Sequence, residues 1–394
     1  MKKLITAIII FIRCNASAQT QLSVLEQQGT EFYKIGKIIE ATASFEKALA
    51  ENPKSLYSIN ALTSLYHNGK EEQKAFDMAD KGMKLSGGAA NFVYAKARAA
   101  TFLNNAKDAI SIIETYSVKN KPDYMLLFVK GNAYYQLGDK QQALAAYSQS
   151  INDNTDFFSS YFERGKIFKD LQRYPQALKD FDKCVTLRND EADVYNYLGI
   201  VYYLMGNIDA AFTNYNKCIA LDPKQSFAIA NRGTIYRDKN QIDKAIEDFD
   251  AAIAINPNNG GAFFEGARLY DKTKNFAKAL TMINKAVALQ PNFPLYFIEQ
   301  SRIYNAIDKY DDALVAANKA IALDTNNPEG YLLKSITYYN KENFNEAVKV
   351  ATEGILIIPD YYLLYNMRAT YYRALKNNSL AEADDAKAKQ LASK

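Results

Sequence analysis

One spacing governs this chain. Stepping by thirty-four residues from Ala41 meets Ala75, Ala109, Ala143, Ala177, Ala211, Ala245, Ala279, Ala313, Ala347 and Ala381, with no insertion anywhere. A residue held that strictly at a fixed period marks a tandem array, in which each unit packs only on its neighbours. Units start at residues 22, 56, 90, 124, 158, 192, 226, 260, 294, 328 and 362, so the array takes residues 19–394. A length of 394 residues would otherwise suggest two or three globular domains. The period leaves no residues for a separate catalytic domain.

The unit 192–225 serves as template. Tyr195, Leu198, Gly199 and Tyr202 fall at i, i+3, i+4 and i+7, the apolar stripe of an α-helix. Ala211, Tyr215 and Cys218 form a second stripe. Gly206-Asn207 breaks the pattern between them, and Pro223 closes the unit. The column of Gly199 is small in every unit, which lets two helices approach closely. The column of Tyr202 is aromatic in ten of eleven units and fills the space between helices. Units two and three, with Gly87-Gly88 and Lys121-Pro122 at their ends, are expected to be irregular. The last helix is polar, as a terminal cap is, and Ser379-x-x-Glu382 reads as its capping box.

The thirty-four-residue period, Leu198-Gly199 with Tyr202, Ala211, Tyr215 and Pro223 together resemble the tetratricopeptide repeat family. Tyr195 stands where that family often has tryptophan. The resemblance covers the whole chain after its first residues. It implies an all-α fold, an α-solenoid of antiparallel helix pairs in a right-handed superhelix, with the first helices lining a concave groove. It is almost silent on ligand. Some members clamp a terminal carboxylate with Lys and Asn on three consecutive units. No three adjacent units here supply that set, and Asn132 has Phe128 where the lysine would stand.

The N-terminus reads differently. Lys2 and Lys3 precede the apolar run Leu4–Ile12, and Ala16-Ser17-Ala18 is a small-x-small site. That is the pattern of a secretory signal peptide over residues 1–18, cleaved after Ala18. The run is too short for the ~20 residues that span a bilayer. An uncleaved anchor and a lipoprotein modified at Cys14 are the alternatives. Cleavage removes Lys2, Lys3 and Arg13 and takes the net charge from +4 to +1, so no electrostatic footprint for nucleic acid is expected. The expected address is the periplasm of a Gram-negative envelope, or outside the cell. Of the remaining cysteines, Cys184 and Cys218 share a column in adjacent units. That implies helices about 8–10 Å apart, too far for a disulfide, so both read as buried small residues.

Three units carry arginine in the column of Leu198: Arg164, Arg232 and Arg368. The same three carry aspartate sixteen residues later: Asp180, Asp248 and Asp384, where no other unit does. Co-occurrence within one chain points to structural ion pairs across the two helices of a unit. His67 is the only histidine, so neither a His pair for metal nor Ser-His chemistry is available. No phosphate loop, zinc spacing or nucleophile motif occurs. No catalytic residue, metal or cofactor is therefore expected.

At 100° per residue the template places Asp193, Asn196, Ile200, Tyr203 and Leu204 in one arc beside the buried stripe. The family resemblance implies that this arc faces the groove. The candidate binding residues on it are Phe128, Asn132, Tyr135, Phe162, Lys166, Tyr203, Arg237, Phe264, Arg268, Lys272, Arg302 and Tyr339. Over all units the arc holds nine basic and six acidic residues. Aromatic positions with a mild positive bias suit a protein or peptide partner with apolar anchors and some acidic character; stack packing with ordinary solvated charges is the competing reading. The expected function is a non-catalytic binding scaffold. The alternatives are a self-assembling structural protein and an enzyme with a cryptic groove site.

Overall fold

The computed structural model describes residues 22–393, among which there are twenty-two α-helices and no strand. The signal-peptide and lipoprotein readings fall on residues outside that range. Repeat 1 is α1 (Val24–Lys34) and α2 (Ile38–Glu51); repeat 2, α3 (Leu56–Asn68) and α4 (Glu72–Leu85). Repeat 3 is α5 (Ala90–Phe102) and α6 (Ala106–Ser117); repeat 4, α7 (Tyr124–Gln136) and α8 (Lys140–Asp153). Repeat 5 is α9 (Phe158–Asp170) and α10 (Tyr174–Leu187); repeat 6, α11 (Ala192–Leu204) and α12 (Ile208–Leu221). Repeat 7 is α13 (Ser226–Asp238) and α14 (Ile242–Ile255); repeat 8, α15 (Gly260–Lys272) and α16 (Phe276–Leu289). Repeat 9 is α17 (Pro294–Ala306) and α18 (Tyr310–Leu323); repeat 10, α19 (Pro328–Asn340) and α20 (Phe344–Ile357); repeat 11, α21 (Tyr362–Ala374) and α22 (Asn378–Ala392). All eleven second helices start thirty-four residues apart, as do the first helices from α3 onward. The array divides between residues 189 and 190 into two compact units, repeats 1–5 and repeats 6–11.

The turn inside each repeat sets this register. One residue per turn has positive φ: Gly36, Lys70, Asn104, Gly138, Gln172, Gly206, Asn240, Lys274, Asp308, Glu342 and Lys376. Only three are glycine. The next residue's N–H then reaches back to the carbonyl of the aromatic column, as in Asn207 to Tyr202 at 2.9 Å and Lys309 to Tyr304 at 2.9 Å. That bond satisfies an orphan carbonyl of the first helix and outweighs the roughly 1–2 kcal/mol an L-residue loses in the left-handed region. The same residue is the N-cap of the second helix, and several use their side chains: Asn207 accepts from the Ala210 N–H at 3.2 Å.

The helix pair closes on the alanine column, where no member is more than 1% exposed. One turn along it lies a matched set. Gly29, Gly131, Gly165, Gly199 and Gly233 each face an aromatic ring sixteen residues on: Phe45, Tyr147, Phe181, Tyr215 and Phe249. A Cβ at Gly199 would lie 2.4 Å from the Tyr215 ring, and one at Gly131 2.5 Å from that of Tyr147. Where the first position is Thr63, Ala97, Ala267, Ser301, Ser335 or Ala369, the second is Ala79, Ile113, Ile283, Ala317, Ala351 or Asp385, never an aromatic. Each ring packs where only glycine leaves the facing backbone open, so an aromatic residue on the second helix goes with glycine on the first.

Within each of the two units, second helices pack on the first helix of the next repeat, and first helices of many successive repeats also touch directly. The buried clusters are accordingly local: Val93, Ala109 and Ile113 of repeat 3 join Leu126 and Val129 of repeat 4. Cys184 and Cys218 are both free and buried, and burial pushes each thiol up to about 12. The expected irregularity in repeats 2 and 3 is confined to helix ends. Gly87 and Gly88 both take positive φ, and α6 has 12 residues where most second helices have 14. The Ser379–Glu382 capping box is not formed. The invariant turn register puts the N-cap at Asn377, whose side chain accepts from the Leu380 N–H at 3.4 Å.

Substituting Gly199→Ala should cost about 1–3 kcal/mol through overpacking. In Gly199→Ala/Tyr215→Ala the two losses should be less than additive, because the ring the new methyl strikes is gone. Urea midpoints of the wild type, the two single variants and the double variant test this; strict additivity rules out the contact.

Candidate functional site

Arg164, Arg232 and Arg368 are each held by three side-chain oxygens. Arg164 donates through Nε and NH2 to both oxygens of Asp180 at 2.8 and 2.7 Å. Arg232 does the same to Asp248 at 2.9 and 2.7 Å, and Arg368 to Asp384 at 2.7 and 2.8 Å. A partner not evident from co-occurrence completes each set. NH1 reaches back to the second helix of the preceding repeat, at Ser148 Oγ (3.0 Å), Asn216 Oδ1 (2.9 Å) and Thr352 Oγ1 (2.9 Å). Lys96 and Lys130, in the same column without the aspartate, take the rearward acids Asp80 at 2.6 Å and Glu114 at 3.2 Å. This column is a staple between repeats.

The arc of the first helices divides by unit. In repeats 4 and 5 it is aromatic and largely occupied by its own neighbours. Phe128 meets Tyr147 and Phe157 at 5.7 and 5.3 Å between ring centroids. Phe162 stacks on Phe158 at 5.8 Å, and Lys166 lies 5.6 Å above Phe162 while paired to Glu163 at 2.7 Å. Asn132 accepts from the Tyr147 hydroxyl at 2.6 Å, leaving Tyr135 the exposed member of this set. In the other unit Tyr339 is likewise packed, against Tyr371 and Phe344. Most of these aromatics thus pack first helices against their surroundings, the competing reading of the arc. His67 is held by Glu72 at 2.7 Å and by Arg98, against the Phe102 ring. Burial, then Arg98, lowers its pKa below the ordinary histidine value.

Repeats 7–9 differ. Here the arc opens into a pocket of about 570 Å³ lined by Arg237, Asp238, Arg268, Asp271, Lys272, Glu299 and Arg302. These come from the C-terminal half of α13 and α15 and the middle of α17. Four of the twelve candidate residues thus share one cavity. Tyr203, one repeat earlier, donates its hydroxyl to Asp238 at 2.7 Å; burial, then that bond, pushes the phenol up to about 12. Arg237 pairs with Asp238 at 2.8 Å and with Glu265. Arg268 lies 3.5 Å from Glu265 and 5.7 Å from the Phe264 ring centroid. Lys272 donates to Asn240 at 3.2 Å, and Arg302 pairs with Glu299 at 3.0 Å and Glu329 at 3.2 Å. Among the described residues no group of His, Cys, Asp or Glu could hold a metal.

Models of the tetratricopeptide repeat match residues 192–225, 226–259 and 262–293, and a TPR repeat model matches 131–172 and 165–206. The first two spans coincide with repeats 6 and 7. The chain is a tetratricopeptide-repeat protein. No curated protein sequence matches it. Among solved structures it is similar to yeast Tom70 at 15% identity and a TM-score of 0.47, covering 93% of this chain and 91% of that one. It is similar to the APC/C hetero-tetramer Cut9–Hcn1 at 13% and 0.47, covering 94% of each chain. A third similarity is to PilF of Pseudomonas aeruginosa, at 17% and 0.48, over 54% of this chain and 97% of that one.

Within this tetratricopeptide array the pocket is electrostatically layered. Glu299 is 3% exposed and Arg302 above it 43%. Burial raises the Glu299 carboxyl against the pull of Arg302, and burial raises Asp271 in the same way. A carboxylate with a raised folded pKa contributes stability at low pH that is lost as pH rises through that pKa. Glu299→Gln lacks this loss. Its stability relative to the wild type should therefore increase as pH rises from the ordinary glutamate range through the raised value, whatever its offset at either end. Urea unfolding of both proteins across that range checks the sign; a constant difference contradicts it.

Proposed function

We propose that this protein is a non-catalytic scaffold that holds a protein partner against its first-helix face, with the repeat 7–9 pocket as the principal contact. The observation that carries the reading is the contrast between equivalent positions of the first helices. In repeats 4 and 5 the arc is filled by its own rings, whereas in repeats 7–9 it opens into a cavity with three partly exposed cations. Packing alone does not require that opening. The column residues that build the solenoid are shared by the repeats, while the pocket residues are not, as expected where a site has been placed on a regular frame. The matched family models are repeat models, and none describes an enzyme.

The address is part of the same proposal. The basic start, apolar run and Ala16-Ser17-Ala18 support export with removal of residues 1–18. No helix among the described residues is long and apolar enough to cross a membrane. The exported scaffold then works in the cell envelope or outside the cell. Expression with the native N-terminus should yield a mature protein beginning at Gln19 in the periplasmic fraction. An intact Met1 in the cytoplasm rejects export, and lipid on Cys14 rejects this cleavage.

Binding itself is tested by cross-linked pull-down from the envelope fraction, using the full mature chain and an Arg268→Ala/Lys272→Ala/Arg302→Ala variant of unchanged helicity. A partner retained by the wild type and lost by the triple variant is the expected result. Equal recovery by both proteins removes the pocket from the binding face.

A further inference from the structure

Resting on the reading of the pocket as a partner site, we infer that it takes the carboxylate side chains of an acidic, extended protein segment, one each against Arg268 and Arg302. The charges are ordered by depth. Glu299 lies under Arg302, and Glu265, 22% exposed, under Arg268 and Arg237, whose own side chain is only 13% exposed. These acids fix the guanidinium planes from behind. Arg268 spends one donor group on Glu265 and Arg302 two on Glu299 and Glu329. A guanidinium carries five N–H donors in a fixed fork, so both heads keep donors for a carboxylate arriving from solvent. Lys272, exposed on α15 one turn beyond Arg268, adds a third cation to that outer layer.

A basic segment would meet this outer layer first. Of the carboxylates that could receive it, Asp238 is engaged by Tyr203 and Arg237, Glu329 by Tyr361 at 2.7 Å and Glu299 by Arg302, which leaves Asp271, half-buried in the field of Arg302, against three outer cations. A purely apolar segment would have to desolvate three cations with nothing to pair them. The spacing sets the ligand further. Arg268 and Arg302 hold equivalent places in successive repeats, on helices roughly 10 Å apart. A segment in the polyproline II conformation, with three residues per turn and a rise of about 3.1 Å each, brings side chains i and i+3 to one face about 9 Å apart, so acids at i and i+3 meet both arginines. Leu295, exposed on α17 two turns before Arg302, offers an apolar contact beside them.

The test uses the full mature chain and fluorescently labelled peptides with glutamate at every third position of a serine-glycine background. Matched peptides carry lysine or leucine at those positions. The glutamate peptide should bind, and the lysine and leucine peptides should bind at least about tenfold more weakly. Arg268→Ala and Arg302→Ala should each lower its affinity roughly tenfold, while Lys34→Ala, in repeat 1, should not. Binding should also weaken with added salt. Thermal melts of each variant exclude unfolding as the cause, and Arg268→Lys should recover part of the loss. A glutamate peptide that binds no better than the leucine peptide overturns the assignment, as does affinity unchanged in both alanine variants. If the leucine or lysine peptide binds instead, and the pocket variants abolish it, the acidic assignment fails and the partner site stands. If no peptide binds and the pull-down is insensitive to the pocket, both fail.

Discussion

Everything in this protein depends on how closely two helices can approach within one repeat. The buried alanines of the second helices permit that approach, and the glycine–aromatic contacts set its distance. A ring lying on a helix backbone with no Cβ between them forms a contact that cannot be loosened without opening a void or tightened without a clash. Because each repeat contributes its own contact, the error in one pair does not accumulate along the array. The repeats that lack glycine there pair two small or aliphatic residues, or, in repeat 11, Ala369 with Asp385. The helix starts keep the thirty-four-residue step whichever solution is used.

The turn adds a second constraint that is almost independent of sequence. Eight of its eleven left-handed positions are not glycine, and residues as different as Lys274, Asp308 and Glu342 occupy them with nearly the same φ. The hydrogen bond from the following residue to the aromatic-column carbonyl holds the conformation. The side chain at that position is therefore free to vary. This is why the turn was legible as a break at Gly206-Asn207, but its rule was not. Reading for glycine finds three repeats and misses eight.

Other features were legible in proportion to how local their cause is. The helix pairs follow from apolar period alone. The Arg–Asp forks could be read because both partners lie in one repeat and vary together. Their third contact, to Ser148, Asn216 or Thr352, escaped because its residue type changes each time. The glycine–aromatic exchange was present in the sequence in full, but emerges only when two columns are compared, since each separately looks like ordinary small or apolar variation. The groove was the least legible. Angular position places Phe128, Phe162 and Tyr339 on the arc, yet whether a side chain on an arc is free depends on the neighbouring helix. In those repeats the neighbours supply Phe157, Phe181 or Tyr371.

Repeats 7–9 show what happens when the neighbour supplies charge in place of rings. A ring pair closes the gap between first helices. A layer of buried carboxylates under arginines holds the heads apart and oriented, because each guanidinium is tied at its rear and the like charges in front repel. The cost of burying Glu299 is offset only if a guanidinium stays beside it, which keeps Arg302 in place before any ligand arrives. The pocket is thus preorganised by the same inward charges that make it expensive. Its outer donors need little rearrangement to receive an anion, and side-chain ordering is a main part of the free energy lost on binding. A regular solenoid supplies the frame, and a few substitutions on its first helices replace ring packing with an open, charged pocket.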